Sequence, residues 1–278
     1  YYVYPSTDRI RRLRRNILEL VLSEYPPERL TPGQGMLPTE FQSVVAAAGS
    51  SEVRYDRKII FHEQDRSRPY VWSDLTECIK CYRCVRACDE LQTEHVLGIR
   101  GRGDNSTIIK GFDRSFRESP CVSCGACVQT CPTNALSDRY SVKTIKADKT
   151  VRTTCTYCGV GCNLSVKVID GRVRGIEAPP DGATNRGHTC VKGRYAFEFY
   201  NHPERLRSPM IRKNGNLTEV SWDEAYDFTA GKFREIREKF GPDALAGISS
   251  ARCTNEENYL MQKFFRIVIG TNNIDGCA

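Results

Sequence analysis

Twelve of the fourteen cysteines in this chain fall into three groups of four that could bind metal. The groups are Cys78, Cys81, Cys84 and Cys88, then Cys121, Cys124, Cys127 and Cys131, and finally Cys155, Cys158, Cys162 and Cys190. The second group is followed by a proline and reads C-x2-C-x2-C-x3-C-P, a run that typically holds iron–sulfur clusters. The first group repeats the spacing without the proline. The pattern predicts three [4Fe–4S] clusters and a function in electron transfer.

The first two groups are predicted to exchange their fourth ligands. Where two such runs occur in one protein, the fourth cysteine of each run binds the cluster of the other run. We therefore assign one cluster to Cys78, Cys81, Cys84 and Cys131. The other cluster is assigned to Cys88, Cys121, Cys124 and Cys127. Small residues suit so tight a loop, and Gly125 fits this expectation, whereas Tyr82 at the matching position is bulkier.

The third group has a different spacing, because its fourth cysteine lies far along the chain from the other three. Gly159 and Gly161 separate the second and third cysteines and would allow the backbone to fold close to a cluster. The distant Cys190 would tie this loop to a later one. We assign the third cluster to Cys155, Cys158, Cys162 and Cys190.

Structural zinc is the alternative interpretation of the cysteine groups, and it would make the chain a zinc-binding interaction protein. Pairs of the form C-x2-C also occur in zinc ribbons, but zinc sites use pairs rather than triplets with a fourth cysteine close behind. The four histidines share no metal-binding spacing. Cys253 and Cys277 stand outside the groups and are interpreted as small buried hydrophobic residues.

Charge and composition limit the other classes of function. The formal net charge is +7, and basic chains favour nucleic-acid binding. An oxidised [4Fe–4S] cluster with its thiolates carries roughly −2, so three clusters would cancel about six of these charges. Nucleic-acid binding is therefore disfavoured. The chain shows no secretory signal and no apolar run near the ~18 residues of a membrane span, which favours the cytoplasm.

The first half of the chain is predicted to be mostly helix and loop outside the cysteine runs. Apolar residues at helical spacing predict a helix over residues 9–24, and a shorter helix is predicted over 41–48. Residues 51–75 are charged and are expected to be irregular. The glycine-rich insert between the first two cysteine groups shows no strand before its glycines, so no nucleotide-binding loop and no NAD or flavin site is predicted.

The second half alternates strands and helices. Strands are predicted within 151–178 around an Asp170-Gly171 hairpin turn, and an irregular stretch follows to Pro209. A helix capped by Ser221 is predicted to end near Phe240, and a strand and a helix follow over 244–249 and 255–269. The whole chain is predicted to be an α+β multidomain protein.

Several segments resemble one enzyme family, the molybdopterin-dependent oxidoreductases. TTCTYCGVGC, CVKGRYAFEFYNHPERLRSPMIR and SWDEA are similar to the N-terminal part of these enzymes. SSARCTNEENYLMQKFFR and GTNNID resemble, more narrowly, the catalytic α-subunit of cytoplasmic formate dehydrogenases. DLTECIKCYRCVRACDELQ resembles the ferredoxin-like module of the NAD-linked members and of the large iron–sulfur subunit of complex I.

The resemblance implies a cofactor, a reaction and partners. The cofactor is molybdenum or tungsten held by two pyranopterin guanine dinucleotides, and the reaction is reversible oxidation of formate to carbon dioxide. The cluster of the third group would be nearest the pterin, and Lys192 would bind the pterin and relay electrons to it. Partners would be other iron–sulfur or flavin electron-transfer subunits and the remainder of the catalytic subunit.

The resemblance also implies a division into domains. These are a helical remnant of an iron–sulfur domain without its cluster (1–66), a ferredoxin-like domain with two clusters (67–150), a small β-rich [4Fe–4S] domain (151–208) and the start of an α/β molybdopterin-binding domain (209–278). The family's metal-ligating cysteine or selenocysteine would fall just beyond Ala278, and the chain begins with Tyr1. The sequence therefore predicts a fragment that carries electrons but lacks the catalytic ligand.

Two alternatives of related chemistry remain open at this point. Another molybdopterin oxidoreductase would use the same clusters with a different substrate. A relay subunit of the complex I or hydrogenase type would use clusters without a pterin.

Overall fold

The computed structural model describes residues 2–49 and 53–277, which divide into two compact units. The first unit comprises residues 1–153 and 164–197, and the second comprises residues 154–163 and 198–278. Across the described residues, no helix is both long enough and apolar enough to cross a membrane.

The first unit begins with two capped helices, α1 (Asp8–Ser23) and α2 (Glu40–Ala48). The Thr7 hydroxyl accepts from the N–H of Ile10 at the start of α1, and Thr39 forms a reciprocal capping box with Gln42 at the start of α2. Apolar side chains from both helices form one core: Leu18, Leu22, Tyr25, Phe41 and Val45. Both helices are confirmed to within one residue at each end.

The cysteine-rich part of the first unit is built from two similar halves. Strands β1 (Val71–Ser73) and β4 (Leu136–Asp138) pair antiparallel. Between them lie the short helices α3 (Arg83–Arg86), which continues as a π-helical turn, and α4 (Ala126–Thr130), and the hairpin of β2 (Leu97–Arg100) and β3 (Thr107–Lys110). Their shared core includes Val71, Leu97, Ile108, Phe116, Val128 and Leu136.

Residues 53–70 contain no helix or named strand, as expected, but the segment ends in strand β1. The expectation that no strand precedes the glycines of the insert is wrong, because the insert contains the hairpin of β2 and β3. Strands of three and four residues are too short to show a clear alternation of apolar and polar positions. Gly101 closes the hairpin with φ +75°, where a Cβ atom would lie 2.5 Å from the carbonyl oxygen of Asn105. That glycine therefore serves the turn.

A three-stranded sheet follows, in the order β5 (Lys149–Thr154), β6 (Asn163–Ile169) and β7 (Arg172–Glu177). Ile169 pairs with Arg172, which leaves Asp170 and Gly171 as a two-residue turn with φ values of 51° and 69°. Positive φ at both positions is the signature of a type I′ hairpin. The predicted hairpin is confirmed. Helix α5 (Val191–Tyr195) then interrupts the stretch expected to be irregular.

The second unit contains a short helix, α6 (Glu198–Asn201), and a hairpin of β8 (Met210–Lys213) and β9 (Asn216–Glu219). The hairpin turns at Asn214-Gly215, a strong hairpin signal that the sequence analysis missed. Helix α7 (Trp222–Phe240) is confirmed, and the Ser221 hydroxyl accepts from the N–H of Glu224 at 3.1 Å.

The second unit ends in a parallel pair of strands joined through a helix. Strand β10 (Gly247–Ser250) pairs with β11 (Ile274–Cys277), and α8 (Asn255–Lys263) connects them and continues as a π-helical segment to Ile269. The predicted strand–helix alternation is therefore present. Cys277 is exposed, contrary to expectation, because the two strands form a sheet by themselves that leaves their faces largely uncovered.

Candidate metal centres

Four cysteines from two separate runs line one cavity in the first unit. Its thiols belong to Cys78, Cys81, Cys84 and Cys131. Three of them come from the first run and the fourth comes from the second. Apolar residues such as Leu75, Ile108 and Leu136 form much of the remaining wall. The structure thus brings together the four cysteines that the sequence analysis assigned to one cluster.

The remaining four cysteines of the two runs also lie near one another. Burial raises the pKa of the thiols of Cys121, Cys124 and Cys127, and the proximity of Cys88 raises the pKa of each one further. Cys127 is buried in the core. Helix α4, which carries Cys127, packs against the π-helical turn that carries Cys88, so Cys88 lies near the second run although it belongs to the first run in sequence.

The chemistry of the cavity suits a positively charged metal centre. Burial raises the pKa of Cys78 to about 11 and that of Cys84 to about 12, and the nearby Cys131 thiol adds to both shifts. Such thiols would be protonated at neutral pH on their own, whereas coordination to a metal deprotonates a thiol outright. Among the residues that the structure describes, no three His, Cys, Asp or Glu side chains converge closely enough to hold a single ion. The cavity cysteines instead surround a space, as the ligands of a cubane cluster must.

The two cysteine runs share one backbone conformation. Four residues at matching positions have positive φ, between 53° and 76°: Lys80 and Tyr82 in the first run, and Ser123 and Gly125 in the second. The N–H of Lys80 lies 3.4 Å from Cys78 Sγ, and the N–H of Ser123 lies 3.4 Å from Cys121 Sγ. Alternating right- and left-handed residues turn successive N–H groups toward one side, which forms the anion-binding concavity typical of Fe–S sites. Both loops therefore fit an anionic cluster.

The matching positions Tyr82 and Gly125 face different neighbours. The Tyr82 hydroxyl lies 2.6 Å from Ser106 Oγ, so its bulk is accommodated beside the insert between the runs. At Gly125, a Cβ atom would lie 2.5 Å from both Arg194 Cδ and Tyr195 Oη. Helix α5 thus approaches the second run so closely that only glycine fits there.

Replacing Gly125 with alanine should destabilise the chain by roughly 2–5 kcal/mol, because left-handed strain of about 1–2 kcal/mol adds to an overpacking cost of about 1–3 kcal/mol. Gly171→Ala is the matched control, since Gly171 also has positive φ but a Cβ atom added to it would meet no other atom within 4 Å. Denaturant unfolding of both variants measures the difference. Equal destabilisation of the two variants would contradict close packing at Gly125.

A half-buried lysine contacts the fourth cysteine of the second run. Lys143 Nζ donates to the carbonyl oxygens of Cys131 at 2.6 Å and Thr133 at 2.9 Å. Burial lowers the pKa of Lys143, while Cys131 and Asp138 oppose that shift. The lysine therefore fixes the backbone where the chain crosses from one cluster loop to the other.

The third cysteine group is divided between the two units. In the second unit, Cys155 donates its N–H to the carbonyl oxygen of Cys162 at 2.8 Å, and Gly161 has a φ of 65° in the loop between them. In the first unit, Cys190 and Lys192 are exposed, and α5 begins directly after Cys190. The assembly of these four cysteines into one cluster site, with Lys192 beside it, stays a prediction.

Three family models match different parts of the chain. A 4Fe-4S dicluster domain matches residues 77–135, a molybdopterin oxidoreductase Fe4S4 domain matches 148–202, and a molybdopterin oxidoreductase model matches 205–278. The chain belongs to the molybdopterin oxidoreductases. In this molybdopterin oxidoreductase, the dicluster match contains both cysteine runs that share the cavity, and the Fe4S4 match contains the whole third group.

Curated relatives carry the name "Putative formate dehydrogenase". Those of Staphylococcus aureus strains bovine RF122 / ET3-1 and MSSA476 are each 35% identical over 279 residues. The match covers 86% of this molybdopterin oxidoreductase chain but only 28% of each relative. A solved NAD+-reducing [NiFe]-hydrogenase in the H2-reduced state is also similar, at 25% identity and a TM-score of 0.42, over 48% of this chain and 57% of that one.

Two residues of this oxidoreductase that contact the cysteine runs were not identified from the sequence. Arg194 donates to the carbonyl oxygen of Cys124, and Lys143 donates to that of Cys131. Arg194 lies only two residues beyond Lys192 in a segment that the family resemblance had already marked. The residues around Lys143 give no sign of its role, because that role depends on the carbonyl oxygens of Cys131 and Thr133, which the fold brings next to it.

Proposed function

We propose that this chain carries electrons through three [4Fe–4S] clusters to or from a molybdenum or tungsten bis(pyranopterin guanine dinucleotide) that oxidises formate reversibly to carbon dioxide. Iron–sulfur electron transfer in a molybdopterin oxidoreductase is the general function of the family. The observation that carries the cluster assignment is the cavity in which Cys131 joins three cysteines of the other run. The formate dehydrogenase name of the relatives supports the choice of substrate.

The ligands of each cluster follow from the proposal. The first cluster would be held by Cys78, Cys81, Cys84 and Cys131, and the second by Cys88, Cys121, Cys124 and Cys127. The third would be held by Cys155, Cys158, Cys162 and Cys190. Because the first two clusters exchange their fourth ligands, both lie within one small core. This arrangement keeps the distance for electron transfer short.

The protein groups around the clusters control charge and water. The bound pterin metal supplies the two-electron chemistry on formate, and the clusters supply one-electron steps. Apolar residues form much of the wall of the first cavity, although Cys81 is exposed, and the N–H groups of Lys80 and Ser123 point toward thiol sulfurs. Hydrogen bonds to sulfur and low exposure are two of the features that set a cluster's reduction potential.

Lys192 is proposed to relay electrons between the third cluster and the pterin, and to bind the pterin. It is exposed on α5, two residues after Cys190. A lysine ammonium next to a cluster stabilises the more negative, reduced form. The electron partners are proposed to be iron–sulfur or flavin subunits, together with the remainder of the catalytic subunit.

Metal analysis tests the cluster proposal directly. The chain, produced with a cluster-assembly system and purified anaerobically, should contain about twelve iron and twelve acid-labile sulfide ions, because each of three cubanes has four of each. Stoichiometric zinc without sulfide would show that the cysteine groups are structural zinc sites. In the complete enzyme, formate should then bleach the visible absorbance of the clusters, and no bleaching with all clusters present would reject formate as the substrate.

A further inference from the structure

Arg194 heads the large, fully buried side chains of the described residues, with only 1% of its surface exposed. Burying a guanidinium is costly unless its charge is balanced and its N–H groups are bonded. A buried arginine that no established role requires therefore needs a physical explanation.

The guanidinium contacts the second cysteine run through hydrogen bonds to uncharged groups. Arg194 Nε donates to the carbonyl oxygen of Cys124 at 2.9 Å, and one terminal nitrogen donates to Gln129 Oε1 at 2.7 Å. The other terminal nitrogen is buried and has no hydrogen-bond partner within the described part of the chain. No carboxylate of the described residues forms an ion pair with Arg194 at 4 Å or less. Burial raises the pKa of the Asp138 carboxyl and Arg194 opposes that shift, so one buried acidic group lies near the guanidinium without a direct contact.

The guanidinium lies directly against the second cysteine run, because its Nε bonds the backbone of Cys124. The side chain also fills the space that Gly125 leaves open in the middle of the run. The guanidinium is therefore held against the loop that carries Cys124 and Cys127.

Gln129 strengthens this connection from the other side. Its Nε2 donates to the carbonyl oxygens of Ala178 at 2.7 Å and Gly187 at 2.9 Å, while its Oε1 accepts from Arg194. Helix α4, which carries Cys127, is thereby bonded to the chain leading to Cys190. Through Arg194 it is also bonded to helix α5, which follows Cys190. Both ends of the segment around Cys190 are fixed to the second cysteine run within the first unit.

We propose that Arg194 is a positioning residue that raises the reduction potential of the cluster held by Cys88, Cys121, Cys124 and Cys127, and that it fixes α5, with Lys192, against that cluster's loop. The inference rests on the proposed cluster function. Reduction adds one electron to the cluster and makes it more negative, and a fixed cation that forms no direct ion pair stabilises that added charge from beside the ligands. The same side chain thereby links the second cluster to the segment that would serve the third.

Redox titration of the anaerobically purified chain, followed by EPR, tests the proposal. In Arg194→Gln, the ratio of reduced to oxidised second cluster at a fixed potential should fall about tenfold, which corresponds to a shift of about 59 mV for one electron. Arg194→Lys keeps the charge and should restore most of the potential. The first cluster is an internal control and should not shift. Arg152→Gln removes an exposed arginine paired with Asp181, and it should change the reduction potential of neither cluster.

Each result decides between explanations. Equal shifts in Arg194→Gln and Arg194→Lys, or no shift with the cluster retained, would overturn the electrostatic role. Arg194→Gln could also lose the second cluster altogether. In that case, an Arg194→Lys variant that keeps the cluster and its potential supports the role of charge. Loss of the cluster in both variants rejects that role. Absence of any cluster from the unsubstituted chain would instead reject the proposed function, which separates the two failures.

Discussion

Replacing Cys131 with serine should remove the cluster of the first cysteine run, although Cys131 belongs to the second. The Cys131 thiol lines the same cavity as Cys78, Cys81 and Cys84. The carbonyl oxygen of Cys131 is held by Lys143, so the variant should keep its local backbone while it loses the fourth thiolate. We expect the EPR signal of that cluster to disappear, with a loss of about four iron ions per chain.

Cys88→Ser is the reciprocal experiment and should damage the other cluster. Cys88 lies beside Cys121, Cys124 and Cys127, whose pKa values it raises. Cys131→Ser should therefore lose the cluster of the first run, and Cys88→Ser should lose the cluster of the second run. Cys253→Ser, outside the three groups, should keep all the iron. If each variant instead loses the cluster of its own run, the exchange of ligands is wrong.

Replacing Lys192 with methionine in the complete enzyme should slow reduction of the clusters by formate by about tenfold or more. The substitution keeps the length of the side chain but removes the positive charge proposed to stabilise the reduced third cluster. A loss of about 1.4 kcal/mol of that stabilisation corresponds to a tenfold lower rate. Stopped-flow absorbance after mixing with formate measures the rate. The iron content should stay unchanged, because Lys192 ligates no metal in this proposal, and the rate is compared at equal pterin content because Lys192 is proposed to bind the pterin.

Lys232→Met is the matched control for this experiment. Lys232 is an exposed lysine on α7 that pairs with Glu235, so its loss removes the same charge from a segment that contains no cysteine. Reduction by formate should proceed at the unsubstituted rate in this variant. Unchanged kinetics in Lys192→Met, or equal slowing in both variants, would reject a specific relay role for Lys192.

The regular elements that the sequence predicted well have strong local signals. Helix α2 has both halves of a capping box between Thr39 and Gln42, and the Asp170-Gly171 turn has the residues that positive φ requires. These contacts join residues three or fewer positions apart, so the sequence contains all their participants. The Asn214-Gly215 hairpin has an equally local signal, and it was missed by interpretation rather than for lack of information.

The short strands of the cysteine-rich region depended on distant partners. Strand β1 pairs with β4, which lies more than sixty residues further along the chain. A strand of three residues gains little stability by itself and forms because the partner strand and the shared core are present. No pattern within such a short segment could have identified it.

The sequence by itself determined the metal chemistry of this protein, because the number, type and spacing of cysteines specify iron–sulfur ligation within short loops. Only the tertiary structure decided which charged groups surround those loops. Arg194 lies seventy residues after Cys124 in the chain, and Lys143 bonds the carbonyl oxygens of Cys131 and Thr133 from a turn whose own sequence shows no such role. Electrostatic effects depend on distance through space and on burial, and neither quantity is written in the local sequence.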